Sequence, residues 1–141
     1  MNILVSTKKL SWSDTGIAII RIVVGLFLLY HGKEVFDAAK IKEYASWDQF
    51  KGFSHPIIMP YLGKGAEFIG GALLFLGLYT RVGCLIIMGT LGYISFFIGK
   101  GIIWMDDQHP FLFVLLAFFI FIMGPGAWSA DGFLFNSNKN K

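Results

Sequence analysis

Four long apolar stretches alternate with shorter polar stretches along the chain. The apolar stretches cover about residues 16–32, 60–80, 82–99 and 110–126. A helix that crosses a membrane needs about 20 residues at a rise of about 1.5 Å each. The pattern therefore predicts an all-α transmembrane four-helix bundle. We expect a polar lead at residues 1–15, a membrane domain at 16–128 and a tail at 129–141.

The second apolar stretch carries two ionisable residues. Only the twelve residues from Phe68 to Tyr79 are free of charge, and that is too few to cross a bilayer. The span must therefore begin near Pro60, which places Lys64 and Glu67 at membrane depth. Three residues apart on a helix, these side chains share a face and can pair. Such groups usually face a protein interior or a water-filled cavity.

Small residues recur every seven positions on the first two spans. The repeats are Ala18, Gly25 and Gly32 on the first span, and Gly63, Gly70 and Gly77 on the second. Small residues let helix backbones approach closely in a bilayer, and a seven-residue period favours left-handed packing. Arg21 lies on roughly the same stripe, so we expect it to face the bundle or to extend to the near surface.

The polar stretch at residues 33–56 differs from a simple linker. It contains four lysines and four acidic residues, with aromatic and aliphatic residues between them. Such a mixture is typical of an amphipathic segment at a membrane surface. We therefore predict a partly helical surface segment between the first two spans.

Composition supports the membrane assignment. Hydrophobic residues make up 55% of the 141 positions and charged residues only 15%, against about 25% in ordinary soluble domains. The basic residues are scattered, which argues against a nucleic-acid interface. The single cysteine, Cys84, excludes an intramolecular disulfide and a redox pair, so we interpret it as a packing residue.

Four spans place both ends of the chain on one side of the membrane. The basic residues on that side are Lys8, Lys9, Arg21, Arg81, Lys139 and Lys141. Those on the other side are Lys33, Lys40, Lys42, Lys51 and Lys100. Because basic residues are more frequent on the cytoplasmic side, this narrow excess favours cytoplasmic termini.

The same topology gathers polar residues at each end of the bundle. At the terminus end we predict a structural charge clamp of Arg21, Arg81 and Asp131, since a half-buried arginine needs a partner. At the opposite end the candidate polar site comprises His31, Lys64, Glu67, Asp106, Asp107 and His109. Glu67 could be a functional acid in a cavity or half of a structural ion pair.

The other members of this candidate site also have simpler interpretations. The histidines could be satisfied helix-end residues, and the two aspartates a solvated turn. A metal site would draw its ligands from three separate segments, with no two histidines one helical turn apart. We therefore predict no metal.

Three motifs in order, RIVVGLFLLYHG, GAEFIGGALLFLGLYTR and GPGAWSADG, resemble the DoxX family of small bacterial four-helix membrane proteins. The resemblance covers nearly all of the chain after about residue 15. The family commonly has a lysine three residues after the HG pair, where this chain has Val35. The resemblance implies a bundle in the bacterial cytoplasmic membrane with cytoplasmic termini. It also implies a link to thiosulfate:quinone oxidoreductases or to other membrane redox complexes.

Three functions fit these observations. The first is a redox-associated subunit that binds a quinone, with His31 and Glu67 bonding to the ring or relaying protons. The aromatic walls expected for that pocket are Phe68, Phe96, Phe97, Trp104 and Phe111. The second is a structural or assembly partner in a complex or homo-oligomer. The third is a small transporter component, which the lack of inverted repeats argues against. Whether this chain alone is catalytic stays open.

Overall fold

The computed structural model describes residues 11–136, and this part of the chain contains helices and turns but no strand. Its six helices are α1 (Trp12–Gly32), α2 (Ala38–Ala45), α3 (Ile58–Leu76), α4 (Thr80–Tyr93), α5 (Gln108–Met123) and α6 (Ala130–Asn136). Short 3₁₀ turns cover Lys33–Phe36 and Asp48–Phe50, and a π turn at Ile94–Ile98 extends α4. Four lysines used in the charge count lie outside the described residues: Lys8, Lys9, Lys139 and Lys141.

Within residues 11–136, two helices are long and apolar enough to cross a membrane. They are Trp12–Phe36, which includes the 3₁₀ turn after α1, and Thr80–Ile98, which includes the π turn after α4. Helix α3 has 19 residues but contains Lys64 and Glu67, and α5 is apolar but has only 16 residues.

The long helices pack in the order α1, α3, α4, α5, and contact between α1 and α5 is sparser than between the other neighbours. The core between them is apolar and includes Leu28, Leu74, Ile87 and Ile120, all almost fully buried. Large apolar side chains also cover the outside, among them Phe27, Phe97 and Phe118. An exposed apolar surface of this extent is typical of a protein that contacts a membrane.

The small-residue stripe of α1 faces α3, as the sequence predicts. Ala18, Arg21, Gly25, Leu28 and Gly32 are all buried. A Cβ built on Gly25 would lie 2.6 Å from the backbone nitrogen of Phe75. The absence of a side chain therefore lets the two helix backbones come into contact.

The surface segment is partly helical, as expected. Asp37 caps the start of α2, and its carboxylate accepts hydrogen bonds from the backbone nitrogens of Ala39 and Lys40. The buried apolar side chains of the surface segment are Ile41 in α2 and Phe50 in the 3₁₀ turn that follows. Helix α2 contacts α3, and Lys64 Nζ lies 5.4 Å from the centre of the Tyr44 ring. The segment therefore lies against the half of α3 that carries the charges.

The predicted charge clamp differs from the one observed. Arg21 is fully buried, but carbonyl oxygens, not a carboxylate, are its hydrogen-bond acceptors. Its guanidinium donates to the carbonyls of Leu74, Phe75, Pro125, Ala127 and Trp128 at 2.6–3.2 Å. Two of these carbonyls end α3, where the helix dipole favours a positive charge.

The other two members of the predicted clamp form no ion pair with Arg21 or with each other in the described part of the chain. Asp131 accepts hydrogen bonds from the backbone nitrogens of Tyr79 (2.6 Å) and Thr80 (2.8 Å), at the start of α4. Arg81 is exposed and forms no ion pair within residues 11–136. Two sets of contacts therefore attach the tail to the bundle. Backbone carbonyls after α5 accept hydrogen bonds from Arg21, and the Asp131 carboxylate accepts from backbone nitrogens at the start of α4.

Candidate functional site

A cavity of about 710 Å³ lies between the surface segment, the first half of α3 and α4. Its walls are mainly apolar and aromatic. The lining includes Tyr44, Trp47, Phe50, Met59, Leu62, Leu85, Ile86, Tyr93, Ile94 and Ile98. Two of these isoleucines belong to the π turn, a distortion that is frequent at functional sites.

Lys64 and Glu67 are the charged residues in the wall of this cavity. Lys64 Nζ lies 3.2 Å from Glu67 Oε2, so the pair predicted from their spacing forms. Only 8% of the Glu67 side chain is exposed. A carboxylate this buried needs a partner, and Lys64 provides one.

A third charged residue, Glu34, contacts this pair but does not line the cavity. Its Oε2 lies 3.1 Å from Lys64 Nζ, so a single ammonium group bridges two carboxylates. We call Glu34, Lys64 and Glu67 the carboxylate–lysine triad. Glu34 also accepts a hydrogen bond from the Tyr44 hydroxyl (2.7 Å) and pairs with Lys40 Nζ (2.8 Å).

The residues around Glu34 stay protonated near neutral pH. Burial and the hydrogen bond to Glu34 raise the pKa of the Tyr44 hydroxyl well above its usual value. The hydrogen bond to Glu34 and its negative charge raise the pKa of Lys40. Tyr44 and Lys40 therefore remain hydrogen-bond donors to the Glu34 carboxylate, and they hold α2 against the 3₁₀ turn that carries Glu34.

The two histidines of the predicted site lie together but away from the cavity lining. The rings of His31 and His109 meet edge to face, with centroids 5.7 Å apart. His109 also contacts Phe113 and borders a separate apolar groove of about 420 Å³ between α1 and α5. This aromatic stacking joins the end of α1 to the start of α5.

The predicted aspartates belong to the loop before α5, and neither lines the cavity. Asp107 is buried, and its Oδ2 accepts hydrogen bonds from the backbone nitrogens of Lys100 (2.9 Å) and Ile102 (3.0 Å). Asp106 Oδ2 lies 3.6 Å from Lys100 Nζ, and both side chains are largely exposed. The structure thus places Lys64 and Glu67 together and separates them from the other four predicted residues.

The prediction of which aromatic residues line the cavity is wrong. None of the five aromatic residues proposed from the sequence lines the cavity. Phe68 packs against Phe36, Phe96 contacts Phe111, and Phe97 and Trp104 are strongly exposed.

The cavity's actual aromatic residues come largely from the surface segment: Tyr44, Trp47 and Phe50, with Tyr93 from α4. The sequence shows their amphipathic pattern but not the face of α3 that they cover. Likewise, the position of Glu34 just after α1 gives no sign that it reaches Lys64, thirty positions further along the chain.

In the part of the chain that the structure describes, no three histidine, cysteine, aspartate or glutamate side chains gather as a metal ion would require. The charged groups at the cavity can form hydrogen bonds and exchange protons. The donors and acceptors are Lys64 and Glu67, supported by Glu34.

Comparison with known proteins agrees with the resemblance seen in the motifs. A Bacillus subtilis (strain 168) protein named "Putative oxidoreductase CatD" is 27% identical over 128 residues, which cover 90% of this chain and 92% of that protein. No solved structure matches the chain. The family model described as DoxX matches residues 16–100, which is more than half of the chain, and the protein therefore belongs to the DoxX family.

Proposed function

We propose that this protein is a redox-associated membrane subunit that binds a quinone, or a similar amphipathic molecule, in the cavity beside Glu67. The observation that carries the proposal is the cavity of about 710 Å³ with apolar walls and one buried ion pair. Ligand pockets typically have volumes of about 300–1,000 Å³ and a few polar groups that fix orientation.

A quinone matches both parts of this cavity. Its flat ring and apolar tail can lie against Trp47, Phe50 and Tyr93. One ring oxygen can accept a hydrogen bond from Lys64, and the hydroxyl of a quinol can donate to Glu67. The name of the Bacillus subtilis relative, "Putative oxidoreductase CatD", supports a redox role.

The proposal includes a membrane topology. We place α1, α3, α4 and α5 across the bilayer as a left-handed four-helix bundle in the bacterial cytoplasmic membrane, with the termini in the cytoplasm. Helix α3 can cross because Lys64 and Glu67 neutralise each other and face the protein, which lowers the cost of charge at depth. The surface segment then lies at the face opposite the termini.

Substitution of Glu67 tests the ligand site. Glu67→Gln keeps the shape of the side chain but removes the charge, so the hydrogen bonds to Lys64 and the ligand weaken. A hydrogen bond to a charged group contributes about 1.5 kcal/mol or more, so we expect about tenfold weaker quinone binding. The measurement is calorimetric titration of a short-tailed benzoquinone into the protein in lipid nanodiscs.

The matched control for this titration is Glu43→Gln on α2. Glu43 is exposed and does not line the cavity, so its substitution should leave the affinity unchanged. Equal affinities for the wild-type protein and the Glu67→Gln variant would contradict a quinone site beside Glu67. Absence of any quinone binding by the wild-type protein would contradict the proposed function itself.

A further inference from the structure

The carboxylate–lysine triad forms part of a continuous line of polar groups from the protein surface to the cavity. Side-chain exposure is 48% at Lys40, similar at Glu34 (17%) and Lys64 (18%), and lowest at Glu67 (8%). Successive groups are 2.8, 3.1 and 3.2 Å apart, all within hydrogen-bonding distance.

Glu34 belongs to this line, but ligand binding in the cavity does not require it. It does not line the cavity, yet its carboxylate accepts from three donors, Lys40, Tyr44 and Lys64. A clamp between α2 and α3 could be made with one neutral hydrogen bond. A second carboxylate on Lys64 instead adds a group that can exchange protons with it, and ionisable groups at membrane depth commonly form proton relays.

We propose that Glu34 is a proton-exchange residue that connects the cavity with water at the surface segment. This inference rests on the proposed quinone site. Reduction of a quinone to the quinol adds two electrons and two protons. The electrons come from the two-electron donor that works with this subunit, and water supplies both protons.

One of the two protons reaches the quinone through Glu34 and Lys64 of the triad. The ring oxygen on the α3 side forms its O–H bond with a proton from the Lys64 ammonium group, whose N–H bond breaks. The Glu34 carboxylate takes up a proton from surface water beside Lys40, and the neutral amine then takes that proton from the carboxyl group so formed. The other ring oxygen is protonated by water at the mouth of the cavity. Quinol oxidation reverses each of these steps.

Glu34→Gln separates proton exchange from ligand binding. The amide still accepts a hydrogen bond from Tyr44, but it cannot take up and release a proton. In the experiment, protein in a lipid film on an electrode is loaded with a short-tailed benzoquinone, and the electrode supplies the electrons. Since positioned acids and bases contribute about a hundredfold or more to proton-transfer steps, we expect reduction to slow by at least about tenfold.

Three further readouts distinguish proton exchange from a structural role. Quinone occupancy, measured by mass spectrometry of the film, should stay at the wild-type level in Glu34→Gln. Formate, a small weak acid, should restore the reduction rate of that variant by carrying protons in place of Glu34. Glu43→Gln should behave as the wild-type protein does, because Glu43 lies on the same surface segment outside the triad.

Glu34→Asp keeps a carboxylate and covers the case in which Glu34→Gln does not fold. Infrared difference spectra of the wild-type film should show a carboxyl band on quinone reduction, and Glu34→Asp should shift that band. A wild-type spectrum without a carboxyl band, or an unchanged band in Glu34→Asp, would overturn the inference. So would wild-type reduction kinetics in Glu34→Gln. A film that retains no quinone in the wild-type protein would instead reject the proposed function.

Discussion

Arg21 shows how backbone carbonyls can stabilise a buried charge that forms no direct ion pair within residues 11–136. Its guanidinium group has five N–H donors, and the structure gives it five carbonyl acceptors from two parts of the chain. Two belong to the end of α3 and three to the segment after α5. Arg21 therefore joins α1, α3 and the tail at one point.

A lysine cannot replace this arginine. An ammonium group has three donors, so Arg21→Lys loses at least two of the five hydrogen bonds. At about 1.5 kcal/mol or more for each hydrogen bond to a charged group, we expect the free energy of unfolding to fall by about 3 kcal/mol. The measurement is denaturant unfolding of the purified protein in detergent micelles.

Arg81→Lys is the matched control for this prediction. Arg81 is exposed and forms no ion pair in residues 11–136, so the change should stay within about 0.5 kcal/mol. Equal losses in the two variants would show that the carbonyl contacts do not stabilise the fold.

At the level of residues, the sequence predicts contacts within one helix better than contacts between helices. The ion pair of Lys64 and Glu67 follows from a spacing of three on α3. The bond from Glu34 to Lys64 depends on how the turn after α1 directs the chain, which spacing does not encode. The acceptors of Arg21 are likewise backbone carbonyls, and every residue type supplies those.

At the level of helices, the interface between α1 and α3 depends on small residues. A Cβ built on Gly71 would lie 3.0 Å from the carbonyl oxygen of Gly25, and one built on Gly25 would lie 2.9 Å from that of Gly71. The heptad pattern predicts Gly25 in this contact, because a period of seven keeps the same face toward the neighbouring helix. On α3 the contact is made by Gly71, which lies outside the predicted repeat, whereas a Cβ built on Gly70 would meet Ile87 of α4. The pattern does not predict the π turn after α4, since no glycine or proline within Ile94–Ile98 marks it.

Substitution of Gly25 tests this interface. In Gly25→Ala the new methyl group meets the α3 backbone, which cannot move aside as a flexible side chain could. Overpacking of this kind typically costs about 1–3 kcal/mol, and we expect a lower melting temperature in detergent. Gly16→Ala on the same helix is the control, since a Cβ there meets nothing within 4 Å. It should be neutral or stabilise the helix by up to about 1 kcal/mol. A lower melting temperature in both variants would contradict close packing at Gly25 as the cause.

At the level of the whole molecule, the start of α1 and the segment after α5 lie at the same end. The Ala127 nitrogen donates to the Asp14 carbonyl at 3.0 Å, and Arg21 bonds to the same segment. The surface segment lies at the other end, beyond the end of α1 and against the start of α3. These contacts agree with an even number of crossings. The orientation, however, rests on an excess of only one basic residue on the terminus side.

Orientation can be tested at two exposed serines. Ser13 lies at the start of α1 and Ser46 at the end of α2, and both are exposed. With cytoplasmic termini, a membrane-impermeant maleimide should label Ser46→Cys in intact spheroplasts and Ser13→Cys only after lysis. The wild-type protein is the control, because Cys84 is fully buried. The reverse pattern would place the surface segment, and with it Glu34, in the cytoplasm. The triad would then exchange protons with the cytoplasm, so the same labelling decides which compartment supplies them.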